Sequence, residues 1–290
     1  MKKLYYYIFA SPIFLFSLLP FPVFYFVCDI FYFITYYMIG YRKNVVYTNL
    51  RNAFPEKSEV EIHKIAKGYY HYMIDLFMET FKMLTMSEKQ LRDRVSIDNL
   101  SMIQELKTRN QNFLFVMGHF GNWEWGGQSF QLQHIFEQDV LYHPLKSKFF
   151  EWLMLKVRTR FGIRMVPMNN VLKTMIGNKN RLTSTCFIAD QTPTNVRDAY
   201  WTTFLNQDTA VYFGTEKIAK KFNYPVVFAS VFRERRGFYK AYLHKISDDS
   251  ANTPDGYITE THTRLLEEDI KKQPEIWLWS HRRWKHKRVS

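Results

Sequence analysis

The sequence predicts an α/β fold, with αβα layers around a mostly parallel central sheet and an N-terminal membrane-embedded helical anchor. Three observations predict it. The chain opens with an apolar run from Leu4 to Gly40 in which Asp29 is the only charge. From Asn112 onward, short apolar runs of strand length alternate with amphipathic stretches of helix length, the pattern of βα units. The 290 residues, 47% of them hydrophobic, are enough for one large core. No repeat, low-complexity linker or composition break follows residue 45, so the reading is residues 1–44 as the anchor and 45–290 as one domain.

The apolar run has to break. A straight helix of that length would reach about 55 Å against a hydrocarbon core of roughly 30 Å. Pro12, Pro20 and Pro22 supply the break, because proline removes a helical hydrogen bond and restricts its predecessor. Lys2 and Lys3 precede the run, and Arg42 and Lys43 follow it. By the positive-inside rule both flanks stay in the cytoplasm, which favours a hairpin-like or interfacial anchor. A cleaved signal peptide fits poorly, since no small-residue cleavage site follows. The rest of the chain is polar enough to bring mean hydropathy to −0.31, which argues against a polytopic membrane protein.

Forty Lys and Arg against 27 Asp and Glu give a formal charge of +13, an excess that points to an anionic partner. The C-terminal HRRWKHKR interleaves its bases with Trp284, His281 and His286, which suits a membrane interface. Nucleic acid is not expected, because no strand-centred aromatic cluster ringed by bases is present. Two cysteines, Cys28 and Cys186, imply neither a disulfide framework nor a zinc site.

After the anchor, Ser58 to Glu61 has the spacing of a capping box. Ile62, Ile65, Tyr69, Met73, Phe77, Phe81 and Leu84 then recur at steps of three and four, which predicts a helix to about Leu84. His63 and His71 read as ordinary members of that helix. Strands are expected at residues 113–117, 139–143, 185–190, 225–232 and 238–246, the last two as an antiparallel hairpin. Helices are expected at 125–136, 147–161, 169–178, 215–222 and 256–272.

The stretch FLFVMGHFGNWEWGG, residues 113–127, is where chemistry is expected. Ligands of open α/β sheets bind at the carboxyl ends of strands, and His119 stands two residues past one. Glu124 follows five positions on. An imidazole takes a proton near neutral pH, and a carboxylate against its other nitrogen fixes the tautomer. Gly118, Gly121, Gly126 and Gly127 free the backbone for close approach, and Asn122 tolerates turn geometry. No Gly-x-Ser-x-Gly elbow appears and neither cysteine lies beside a histidine, so direct transfer is expected in place of a covalent intermediate. A lone His-x4-Glu has neither zincin spacing nor a nearby third ligand, so no metal or other cofactor is expected. The alternative for this pair alone is a satisfied histidine and a glutamate at a helix start.

GHFGNWE resembles the His-x4-Asp/Glu block of the glycerolipid acyltransferase superfamily, and its flanks resemble those of the bacterial lipid A biosynthesis (lauroyl/myristoyl) acyltransferases. RKNVVYTNLRNAFPEKS (42–58) is similar to that family's Val-x-x-Asn-Leu-x-x-Ala-Phe-Pro signature. YHPLKSKFFEWLMLKVRTRFG (142–162) is similar to its Tyr-Arg-Pro-Leu-Lys block, ending in Arg-x-Arg-x-Gly. IADQTPT (188–194), TAVYFGTEKIAKKFNYPVVFASVFRE (209–234) and PEIWLWSHRRWK (274–285) resemble its Asp-Gln, Phe-x-Gly and Trp-x-Trp-x-His-x-Arg-Trp-Lys blocks. Six blocks in order cover nearly the whole chain.

The resemblance implies transfer of a fatty acyl chain from an acyl carrier protein thioester to a hydroxyl of a lipid A precursor, at the cytoplasmic face of the bacterial inner membrane. It makes His119 the base, Glu124 its partner, and residues 45–290 an acyltransferase domain. Arg158, Arg160 and Arg164 become candidates for holding a phosphate or the developing oxyanion, the alternative being a solvated basic face. Asp190 and Gln191, at a strand end, either order the site or cap the next segment. Gly214 opens a helix whose first amides suit an anion, or simply permits the turn. With Asn122 these are the candidate substrate contacts. One block departs from the pattern, with His143 where the family has arginine, so another lyso-lipid acceptor such as an aminolipid stays open. So do a thioester hydrolase and a non-catalytic basic membrane-binding protein.

Overall fold

The computed structural model describes residues 2–288, with side chains from residue 5; the Lys2 and Lys3 side chains lie outside the described residues. Four helices come first: α1 (Lys2–Leu18), α2 (Phe21–Phe33), prolonged by a π-helical stretch at Ile34–Ile39, α3 (Lys43–Ala53) and α4 (Glu59–Lys82). Then come α5 (Glu88–Arg92), β1 (Val95–Ile97), α6 (Leu100–Thr108), β2 (Phe113–Met117), α7 (Trp123–Gln131), β3 (Glu137–Tyr142) and α8 (Lys148–Arg158). The rest is β4 (Arg164–Pro167), α9 (Val171–Gly177), β5 (Thr183–Ile188), a hairpin of β6 (Tyr200–Phe204) and β7 (Gln207–Val211), α10 (Gly214–Phe222), β8 (Val226–Arg235), β9 (Phe238–Ser247) and α11 (Tyr257–Lys272).

Seven strands form the central sheet in the order β1-β9-β8-β2-β5-β3-β4. The five from β8 to β4 run parallel, while β9 turns back antiparallel to β8 as the sequence predicts. The expected α/β architecture is therefore present. The edge strands β1 and β4, of three and four residues, carry too few alternations to register as strands, and the β6–β7 hairpin was not expected either. β2, at the sheet's centre, is buried along its whole length, so its continuous apolar run reflects helices on both faces.

The apolar run breaks at fewer prolines than expected. Pro12 lies inside α1 without ending it. Its missing N–H would leave the Ile8 carbonyl unpaired, and Ser11 Oγ donates to that carbonyl at 2.7 Å, which repairs the ladder. The break is at Leu19 and Pro20, where Pro20 caps α2. There Lys82 Nζ donates to the carbonyls of Ser17 (2.7 Å) and Leu19 (2.5 Å). From Phe21 to Ile39 the helix is long and apolar enough to cross a membrane, and 17% of that span is buried against the protein.

Helix α4 begins with the expected capping box, Ser58 and Glu61 bonding reciprocally. It is buried on more than one stripe, with Tyr69, Tyr70 and Tyr72 all inside, because α2 covers one side and the body of the domain the other. Tyr69, Tyr70, Tyr72 and Phe81 thus serve the core, whereas Phe77 is exposed.

Two glycines of the 113–127 stretch are required by neighbouring protein atoms, where the sequence reading had assigned them to substrate approach. Gly121 has φ +59°, and a Cβ there would lie 1.6 Å from the Val231 carbonyl oxygen; one at Gly118 would lie 2.7 Å from Leu266. Gly121→Ala is expected to cost at least ~2 kcal/mol, since both the backbone conformation and the packing forbid it. Thermal unfolding of the detergent-solubilised protein checks this; an unchanged Tm would contradict it.

Candidate active site

The register of two adjacent parallel strands builds the site. β2 and β5 pair so that Met117 is level with Ile188, and the Ala189 N–H extends the ladder to Met117 O at 2.9 Å. Two residues past each strand stand His119 and Asp190. His119 Nδ1 lies 2.6 Å from Asp190 Oδ1, and the His119 backbone N–H donates to Asp190 Oδ2 at 2.8 Å. Trp277 Nε1 donates to the same Oδ2 at 2.8 Å. The Asp190 side chain is 3% exposed and the His119 ring 16%.

Burial alone would raise the Asp190 pKa. The charge and two hydrogen bonds of His119 and the Trp277 N–H outweigh it and hold the carboxyl down at about 2. An ionised carboxylate only accepts, so Nδ1 carries a proton and Nε2 is left as the basic nitrogen. Gln191 Nε2 stands 3.4 Å from that Nε2, and the Trp123 ring meets the imidazole edge-on with centroids 4.8 Å apart.

Glu124 makes no hydrogen bond or ion pair with the His119 ring among the described residues. It sits on the first turn of α7 and takes Arg158, at the end of α8, in a forked pair: Nε to both carboxylate oxygens at 3.1 Å and Nη2 to Oε1 at 2.5 Å. The carboxylate on Nδ1 is therefore that of Asp190, where the sequence reading had placed Glu124. The physical reason is direction: the chain turns at Gly121, and Asn122 starts α7 by accepting the Trp125 N–H at 2.9 Å, which carries Glu124 toward α8.

The remaining candidates divide. Asn122 is fully buried and acts as a helix cap, so its side chain faces protein. Arg160 donates to the carbonyls of Met83 and Met86. Arg164 forks onto buried Asp139 at 2.6 and 2.7 Å, with Asn178 beside it. Gly214 opens α10 against the Tyr212 ring, and Glu216 two residues on accepts from Gly256 and Thr259 at the start of α11. None of Arg160, Arg164 and Gly214 joins the His119 group.

The closing segment completes the site from behind. Phe120 and Trp277 form an antiparallel bridge, and the Gly121 N–H donates to Ile276 O at 2.9 Å. Asn49 and Arg42 hold the carbonyls of Trp279, Ser280 and His281. Arg283 is 3% exposed and His262 4%; Arg283 Nε and Nη1 and His262 Nε2 have no partner among the described residues. With Asp190 they line a cavity of about 10 Å³, room for about one water. Burial pushes the His262 pKa down to about 4 and that of Arg283 down to about 10.

Against known proteins, residues 1–286 match the family described as bacterial lipid A biosynthesis acyltransferase. The chain belongs to this family. It is similar to the lipid A biosynthesis palmitoleoyltransferase of Escherichia coli (strain K12), 22% identical over 255 residues, 86% of this chain and 80% of the relative. A lipid A biosynthesis acyltransferase of Shigella flexneri matches equally, with the same identity and coverage. That of Haemophilus influenzae is 20% identical over 240 residues, 80% of this chain and 72% of the relative.

Trp277, His262 and Arg283 of this acyltransferase were not singled out from sequence. The signal for Trp277 and Arg283 was their closing block, but nothing in the sequence says that this block folds back onto β2.

Two outcomes are expected. Asp190→Asn lowers kcat by ~10³-fold or more, as expected when a histidine loses the carboxylate that fixes its tautomer. Arg164→Ala lowers Tm by stranding buried Asp139 and leaves the kcat of the folded protein near wild type. Steady-state acyl transfer with parallel thermal unfolding checks both. Because the Asp190 pKa is lower folded than its ordinary 3.8, it adds stability that is present above about pH 4 and lost as pH falls through about 2. Asp190→Asn is expected to remove this acid limb from the unfolding-against-pH curve.

Proposed function

We propose that this chain moves a fatty acyl group from an acyl carrier protein thioester directly to a hydroxyl of a lipid A precursor, with His119 as general base and Asp190 as the carboxylate that orients it. The observation that carries the reading is the His119–Asp190 pair, which leaves Nε2 as the proton acceptor beside Gln191 at the end of the central strand.

The acceptor hydroxyl gives its proton to Nε2 as its oxygen bonds to the thioester carbonyl carbon. The carbonyl oxygen becomes an oxyanion, and the Gln191 amide, 3.4 Å from His119 Nε2, is the side-chain donor assigned to it. Collapse reforms the C=O and breaks the C–S bond. The imidazolium returns its proton to the leaving sulfur, giving an ester and a free thiol. Cys186 is buried and its pKa is pushed up to about 12 by burial, so it is no rival nucleophile. Glu124 holds Arg158 at the flank of the same turn; in this reading the pair borders the substrate, and Arg160 and Arg164 are structural.

The anionic carrier and phosphorylated acceptor give the +13 charge a use. Arg282, Lys285, Lys287 and Arg288 line one open groove of about 760 Å³, suited to such partners. The apolar helix from Phe21 to Ile39 supports attachment to the inner membrane, with the site facing the cytoplasm where carrier and precursor meet. His143, exposed where the family pattern has arginine, keeps a lyso-aminolipid as the competing acceptor.

The test uses full-length protein in detergent with radiolabelled acyl carrier protein thioester and either a lipid A precursor or a lyso-aminolipid. Acylated lipid A precursor from wild type, reduced ~10²–10⁴-fold in His119→Ala, is expected. Free fatty acid without acyl-lipid, acylation of the aminolipid alone, or transfer unaffected by His119→Ala would overturn the reading.

A further inference from the structure

Glu79 on α4 is fully buried, carries no ion pair among the described residues, and takes no part in the chemistry above. Four hydrogen bonds converge on it. Tyr25 Oη on α2 donates to Oε1 at 2.6 Å. Asn122 Nδ2 and Tyr239 Oη, the latter on β9, donate to Oε2 at 2.7 Å each. Its backbone carbonyl accepts Trp125 Nε1 at 2.9 Å. One residue thus ties the membrane-length helix, β9, the cap residue Asn122 of the turn after His119, and Trp125 on the first turn of α7.

This is costly chemistry for mere packing. Burial, and then the neighbouring charge of Asp75, push the Glu79 pKa up to about 7 against the Tyr25 and Tyr239 hydroxyls and the charge of Arg233. A buried carboxylate without a direct cation is rare unless the site uses it. The other attachments of α2 converge on the same region: Asp29, the only charge of the apolar run, takes Arg236 at 2.7 Å and His71 at 2.9 Å. Arg236 also forks onto buried Asp75, one turn before Glu79. The anchor helix is therefore keyed to the domain by polar contacts, and its innermost one is continuous with the catalytic turn.

We propose that Glu79 is a positioning residue for the transfer reaction, the junction through which seating of the anchor helix on Tyr25 fixes Asn122 and with it the turn that carries His119 and Glu124. It rests on the reading of His119 as the base. When Tyr25 leaves, Glu79 loses one of three donors, Asn122 loses its fixed acceptor, and the cap that starts α7 is free to shift. Misplacement of a catalytic group by about 1 Å costs up to ~100-fold in rate while leaving binding intact.

The experiment compares Glu79→Gln, Glu79→Met and Tyr25→Phe in the full-length protein in detergent, with kcat and KM for both substrates and Tm for each. Glutamine keeps an acceptor for Asn122 and Tyr239, whereas methionine fills similar space without one. The expected results are a kcat within ~3-fold of wild type for Glu79→Gln, ~10–100-fold lower for Glu79→Met, and several-fold lower for Tyr25→Phe, all with KM within about twofold. Tyr25→Phe should add nothing further in the Glu79→Met background, since the link is already broken. Equal kcat for the Gln and Met variants, or wild-type kcat for Tyr25→Phe, overturns the proposal; Tyr25→Phe decides it if Glu79→Met does not fold. If His119→Ala still transfers acyl chains, the underlying reading fails; if it does not and these variants behave as wild type, only the role of Glu79 falls.

Discussion

The interaction on which the site depends is the 2.6 Å contact between His119 Nδ1 and Asp190. It exists because β2 and β5 are hydrogen-bonded neighbours in a register that sets Met117 against Ile188, so that residues two beyond each strand face one another. The rest of the structure protects this geometry. Gly121 lets the chain turn under the Val231 carbonyl, Tyr72 holds the Gly121 carbonyl at 2.6 Å, and Trp277 shares Asp190 with the histidine. Blocks far apart in sequence, 42–58, 113–127, 188–194 and 274–285, converge on one pair of side chains.

A second set of polar contacts, partly or fully buried, joins the apolar N-terminus to the rest of the domain. Asp29, Tyr25 and the carbonyls of Ser17 and Leu19 each meet a partner from the domain. In an apolar setting each such group would be expensive to leave unpaired, so these contacts fix how the anchor sits. A helix attached only by apolar packing would be free to slide. The anchor and the body therefore behave as one object near the site, although sequence alone divides them at residue 44.

Much of this was legible beforehand. The alternation after Asn112 gave the parallel sheet, the capping box at Ser58 gave the start of α4, and the apolar run before His119 gave the strand at whose end the proposed base stands. What the sequence could not say was which strands are neighbours. Sheet order is set by long-range packing, and without it the carboxylate nearest in sequence, Glu124, looked like the partner of His119, while Asp190 read as one of several residues at a strand end. The same blindness hid the fates of Arg160 and Arg164. Their basic block suggested substrate, yet one caps the carbonyls after α4 and the other pairs with Asp139 across β3 and β4. Pro12 was misread for a local reason, since a hydroxyl one residue earlier compensates for the bond it removes.

The most direct test of the central claim is the protonation of the His119 ring in the intact protein. ¹⁵N-histidine spectra of detergent-solubilised wild type, with His119→Ala to assign the resonance, report which nitrogen carries the proton in the neutral ring. The account predicts a proton on Nδ1 with a strongly deshielded N–H, retained in Glu124→Gln and lost in Asp190→Asn. A proton on Nε2, or a signal that disappears in Glu124→Gln and survives in Asp190→Asn, would contradict it.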